Sequence, residues 1–189
     1  MEVLIFMGGI KMAQKSTIYK AELSVSDMDR HYYETHKLTV AKHPSETDVR
    51  MMLRLLVFAL HASERLEFSK GISTDDEPDL WEKNLNGETD LWISLGLPSE
   101  KLIRQSCGKA KNVIIYAYGG KSAEVWWNKV QNGTARFKNL SIMNVTETNC
   151  VELGGLARRS MQLQVNIQDC DVLISLENTM LYVTPTRWK

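Results

Sequence analysis

Residues 77–96, Glu77-Pro78-Asp79-Leu80-Trp81-Glu82-Lys83-Asn84-Leu85-Asn86-Gly87-Glu88-Thr89-Asp90-Leu91-Trp92-Ile93-Ser94-Leu95-Gly96, decide how the chain is read. A proline, an acid and two apolar residues open the stretch. Residues 84–87 carry turn chemistry, and residues 90–95 read as a strand. Upstream, LEFSKGI (66–72) reads as a strand and is followed by an acidic turn, 74–78. Before that, HPSETDVRMMLRLLVFALHA predicts a helix, with Ser45-x-x-Asp48 as its capping box. That helix is apolar on most sides from Met51 to Leu60. Its polar stripe is Glu46, Arg50 and Arg54, spaced four apart and so on one face. Downstream, Pro98-Ser99-Glu100 opens a helix to about residue 111, and VIIYAY (113–118) suits a strand buried on both faces.

The rest of the chain completes a mixed α/β domain. Alternation over 17–25 and, more weakly, 33–41, around the polar cluster 26–30, predicts an opening β-hairpin. Residues 121–131 read as a helix, 140–145 as a strand, 149–159 as a short helix, and 161–168, 171–176 and 180–184 as closing strands. A length of 189 residues suits one domain, with no repeat or linker to divide it. Hydrophobic residues at 43% and charged residues at 24% exclude disordered and fibrous classes. Lys plus Arg and Asp plus Glu are 23 each, so overall charge does not select a partner, while a local basic patch stays open. Cys107, Cys150 and Cys170 are far apart and form no CxxC, which implies reduced thiols and a cytoplasmic protein. The start, MEVLIFMGGIKM, is too short to span a bilayer and lacks a secretory cleavage pattern, so no membrane association is expected. Met12-Ala-Gln-Lys reads as an ordinary N-terminus, making residues 1–11 a mis-called start or an extension. The sequence does not give the oligomeric state, and a monomer is compatible with it.

The central order of helix with an acid, strand, Pro-Asp, strand, helix and strand resembles the PD-(D/E)XK phosphodiesterase superfamily, the restriction-endonuclease-like fold. More closely, HPSET, RMMLRLL, LEFSKG, DDEPDLW, DLWI, LGLP and the late IQD look like the YaeQ family, over most of the chain from about Ser16. The resemblance implies a mixed β-sheet flanked by helices, with a nuclease-like core at about 44–119 and the N-terminal hairpin and C-terminal strands as additions. It also implies a divalent-metal site. Hydrolysis of a phosphodiester needs Mg²⁺ or Mn²⁺ to stabilise charge and generate hydroxide, and Mg²⁺ takes carboxylates, a backbone carbonyl and water as ligands.

Carried over by position, Asp79 matches the acid of the Pro-Asp element and Glu46 the helix acid, so these two would hold the metal. Ser94 stands where a second acid is expected and Gly96 where a lysine is expected. Lys101 and Arg104 on the following helix are the local substitutes for that lysine. Asp90 shares a strand face with Ser94 but lies ~13 Å away, so it replaces the missing acid only if the hairpin register brings it beside Asp79. The expectation is a degenerate site with Glu46, Asp79 and Ser94 converging on one cleft. Two functions follow: a metal-dependent nuclease-like enzyme, or a non-catalytic nucleic-acid- or protein-binding module on a decayed nuclease scaffold. The second draws on the basic residues Lys109, Lys111, Lys121, Lys129, Arg136, Lys138, Arg158 and Arg159.

Plainer readings stand beside these. Glu46 also suits a first helical turn, favoured by the macrodipole and paired with Arg50. Asp79 is equally a turn residue after proline, and Trp81 and Trp92 suit core or cleft walls. Gly119-Gly120-Lys121-Ser122 ends like a phosphate-binding loop, but the full pattern needs glycine where Ile115 stands. It reads as an ordinary strand-to-helix turn.

Overall fold

The computed structural model describes residues 16–69 and 77–189. The expected extension 1–11, the end of the strand read at 66–72, and Asp75 and Asp76 lie outside the described residues. The elements are β1 (Thr17–Asp27), β2 (Tyr32–Lys42), α1 (Asp48–Leu60), β3 (Leu66–Phe68), β4 (Leu80–Lys83), β5 (Thr89–Leu95), α2 (Glu100–Lys109) and β6 (Ala110–Ala117). They continue with α3 (Lys121–Thr134), β7 (Leu140–Asn144), α4 (Glu147–Gly155), β8 (Ser160–Gln168), β9 (Asp171–Leu176), β10 (Thr179–Val183) and β11 (Thr186–Arg187).

The strands form two mixed sheets, and the expected N-terminal hairpin and C-terminal strands make up the first of them. The first sheet has the order β10-β9-β8-β1-β2 and the second β11-β7-β6-β5-β4-β3. The N-terminal hairpin and the C-terminal strands join because β1 and β8 pair in parallel, Leu23 opposite Leu163 and Val25 opposite Val165. No local signal announces a pairing between segments so far apart in the chain. In the second sheet β5, β6 and β7 run parallel, while β3, β4 and β5 form an antiparallel meander.

Burial explains the layering. On the first sheet only alternate residues are buried, Ala21, Leu23 and Val25 on β1 and Met161, Leu163 and Val165 on β8, and they join one core with α1, α4 and Leu80, Ile93 and Leu95 of the second sheet. Trp92, Val113, Ile115 and Ile142 point the other way, into a second core with Ile103 of α2 and Ala123 and Trp126 of α3. The second sheet is thus covered on both faces, as its parallel strands require, and β6 buries Val113 and Ile115 on one side and Tyr116 on the other. Helix α1 lies inside the first core, with every residue from Met51 to Ala59 buried.

Several boundaries move from their expected places, those of α1, α2 and α4 among them. Helix α1 starts at Asp48, not Ser45, because the Thr47 hydroxyl accepts the Arg50 N–H at 3.2 Å and acts as the cap. Helix α2 stops at Lys109, where β6 begins at once. Helix α4 covers Glu147–Gly155 rather than 149–159.

The end of α1 carries a buried titratable group. His61 is the C-cap residue, and its Nε2 lies 2.8 Å from the Tyr116 hydroxyl. Nearby, Arg30 donates to the carbonyls of Ala59 and Ala62 and to Asp27. Burial, reinforced by the Arg30 charge and opposed by Asp27, pushes His61 down to about 4. A depressed histidine contributes stability that is present above its unfolded value of about 6.5 and is lost as pH falls toward 4. The full loss is about 3 kcal/mol. Urea unfolding at a series of pH values should show this decline in the wild type, and a His61→Gln variant should lose that component of it.

Candidate functional site

The site is built on α1, which lies in the first core and still carries Arg50 and Arg54. Arg50 and Arg54 are one turn apart on α1, and each leaves the helix toward a carboxylate. Arg54 donates from Nε and Nη2 to the two oxygens of Glu46, at 2.8 and 2.7 Å. Both residues are buried, Glu46 at 4% and Arg54 at 6% exposure. A third Arg54 bond, also from Nη2, reaches the Ala41 carbonyl, and the guanidinium lies 5.7 Å from the Phe68 ring. Glu46 therefore pairs with Arg54 and not with Arg50, and it does so from the loop before the N-cap. Folding this loop back lets one carboxylate meet both faces of a guanidinium fork.

Arg50 holds the second acid. Its Nη2 lies 2.5 Å from Asp79 Oδ1, and its Nη1 donates to the Leu95 carbonyl at 3.0 Å. Tyr118 Oη is 3.5 Å from the same nitrogen, and Arg50 Nε is buried without a partner. Asp79 Oδ2 accepts the Leu95 N–H at 2.7 Å, while the Asp79 N–H donates to the Ile93 carbonyl at 2.8 Å. The Asp79 backbone and carboxylate thus bracket Ser94 from both sides. Gly96 follows with φ of +107°, a conformation that favours glycine, and a side chain there would point toward Arg50. Position 96 thus turns the chain out of the sheet at the guanidinium.

The electrostatics describe a coupled quartet. Burial pushes the Asp79 carboxyl up, and Arg50, the Leu95 amide and Arg54 pull it partly back. Burial is the largest influence on Arg50 and opposes its charge, but Asp79, Tyr118 and Glu46 together more than offset it, so Arg50 is held cationic. Two cations and two anions make the cluster neutral, and it sits at the carboxyl end of β5, where open α/β sheets commonly bind ligands.

The other expected site residues fall outside this quartet. Ser94 Oγ accepts the Trp92 indole N–H at 3.0 Å, on the sheet face that carries the second core. Asp90 lies at the other end of β5, because the register pairs Leu80 with Ile93 and reaches a bulge at Glu82 and Lys83. There it is bound by Lys111 at 2.8 Å and Arg65 at 3.3 Å, so the hairpin does not bring it beside Asp79. Lys101 is exposed on α2. Among the described residues, no three His, Cys, Asp or Glu side chains are placed to hold a metal ion. The glycine turn before α3 serves another purpose: Gly120, at φ +55°, lies directly against the Glu147 carboxylate and leaves no room for a Cβ.

Sequence reading named both acids but missed Arg50 as the partner of Asp79. The available signal was the stripe itself, since two arginines on an otherwise apolar helix must find anions when that helix is buried. Breaking such a pair strands a buried charge. An Arg54→Met variant should lose about 3–5 kcal/mol in urea unfolding. The double variant Glu46→Leu/Arg54→Met should recover most of that loss.

Comparison with known proteins agrees with this architecture. A family model described as "YaeQ protein" matches residues 12–185. YaeQ of Salmonella typhi is 43% identical over 178 residues, covering 94% of this chain and 98% of that protein. The Escherichia coli K12 protein is 42% identical over the same length, with the same coverage. The crystal structure of YaeQ from Xanthomonas axonopodis pv. citri has a TM-score of 0.89 at 44% identity, covering 92% of this chain and 98% of that one. The Pseudomonas syringae YaeQ structure also scores 0.89, at 34% identity with 94% and 98% coverage. Sequence and fold agree from the start of the family match almost to the C-terminus, and the chain belongs to the YaeQ family.

Proposed function

We propose that this chain is a nucleic-acid-binding module on a restriction-endonuclease-like scaffold, one that holds its partner without cleaving it. The order α1, β3, β4, β5, α2, β6 supports a nuclease-like core at about 44–119. The observation that carries the non-cleaving part is the bridge made by Arg50. Its guanidinium joins the Asp79 carboxylate to the Leu95 carbonyl, which are the acid and the backbone oxygen that a metal would be expected to use. The second acid position holds Ser94, whose hydroxyl accepts a bond from Trp92. Glu46 is occupied by Arg54 through both oxygens. As the side chains stand, this donor set does not fit Mg²⁺ or Mn²⁺, which need several free oxygen ligands in octahedral geometry.

A guanidinium can replace a metal as a structural cation but not as a catalyst. It neutralises Asp79 and ties three elements together, yet it offers no position for a water ligand and does not generate hydroxide at neutral pH. Isothermal titration with Mn²⁺ should therefore show no binding to the wild type. The wild type should also leave a supercoiled plasmid intact in Mn²⁺, while retarding labelled DNA at low salt. Arg50→Ala alone, which removes the cation but leaves Ser94 turned to the other sheet face, should also bind no Mn²⁺. Wild-type Mn²⁺ binding and plasmid nicking, both lost in Asp79→Ala, would replace this reading with a metal-dependent phosphodiesterase.

A further inference from the structure

We propose that the outward faces of α2 and α3 are the surface that holds nucleic acid, by its phosphate backbone. This deepens the nucleic-acid reading above and rests on it. The chain is neutral overall, yet residues 100–138 carry eight Lys or Arg against two Glu. Within this segment β6 is a strand of the second sheet and carries Lys111, while α2 and α3 both pack over the second core and place the other basic residues in one helical layer and the loop after it.

The positions within the layer strengthen the point. On α2, Lys101 and Arg104 are exposed, three residues apart, on the stripe opposite buried Ile103 and Ser106. On α3, Lys121 and Lys129 are exposed, and Lys138 follows in the loop after it. None of these five makes a hydrogen bond or ion pair with another of the described residues, so their charges face solvent. Of the two acids, Glu100 is turned against Gly133. The two helices adjoin, since the Trp126 indole of α3 donates to the Pro98 carbonyl just before α2.

Other basic residues are committed to structure. Lys111 is bound to Asp90, Arg158 bonds the carbonyls of Gly155 and Ala157 after α4, and Arg159 bonds the Ile18 carbonyl. The open face of the first sheet is self-neutralising, with Lys37 directly across from Glu22. Charge complementarity therefore selects the α2–α3 layer for a polyanion. Helix α3 is about 21 Å long, a span of about six phosphates along one strand.

The test is fluorescence anisotropy of the full chain with a labelled, mixed-sequence DNA duplex, from about 50 to about 200 mM salt. The pairs Lys101→Gln/Arg104→Gln and Lys121→Gln/Lys129→Gln keep helix propensity and remove charge, and circular dichroism confirms that they fold. Each pair should weaken binding about tenfold or more at low salt and flatten the log–log salt slope by about 2. Lys20→Gln/Lys37→Gln, on the first sheet, should behave as wild type. If the wild type binds and both helix pairs bind equally well, this surface is wrong while the nucleic-acid reading stands. If the wild type does not bind at about 50 mM salt, both fail. Binding only to phosphatidylglycerol vesicles would assign the basic layer to a membrane and overturn the proposal.

Discussion

The arrangement around the site depends on one constraint: α1 is enclosed between the two sheets and still carries two arginines. An unpaired guanidinium in that position would cost far more than the burial of a neighbouring leucine returns. The loop before α1 therefore folds back to give Glu46 to Arg54, and the start of β4 is drawn in to give Asp79 to Arg50. Through the Leu95 carbonyl and amide, the second pair also fixes the end of β5 relative to β4. Helix, meander and parallel sheet are locked at one point, by charge-assisted bonds that apolar packing alone would not orient.

The same point lies where a nuclease-like scaffold would place its metal. A divalent ion and a guanidinium both satisfy a carboxylate and a carbonyl, but their consequences differ. The ion brings water into a defined geometry and makes it acidic, whereas the guanidinium brings only its planar set of donors. A chain that carries its cation covalently keeps the shape of the site under any metal supply. The neutral quartet also leaves little net field at the carboxyl end of β5. The electrostatic character of the molecule is carried instead by the outer helices.

Much of this was legible in residues. The alternation in 17–25, the apolar run at 113–118 and the capping signal near Ser99 mark elements whose character is local, and the structure keeps them as β1, β6 and α2. The Ser45 box failed because Thr47 is an equally good cap two residues later, and the partner of Glu46 decides between them. Asp79 could be singled out by its motif, but its partner could not, because Arg50 lies on another element 29 residues earlier. Asp90 shows the same limit. Its distance from Ser94 follows from strand geometry, while its distance from Asp79 depends on the β4–β5 register and bulge.

The sequence by itself determined most element types, the family resemblance and the presence of two acids at Glu46 and Asp79, since each depends on residue identity and short-range periodicity. Only the tertiary structure decided that there are two sheets, that Glu46 and Asp79 are each closed by an arginine, and that α2 and α3 pack over the same core. The reason is physical. Periodicity reports which side of an element seeks burial, but partner choice depends on the parallel pairing of β1 with β8, the register of β4 on β5 and the desolvation of α1. These are long-range terms that no window of sequence contains.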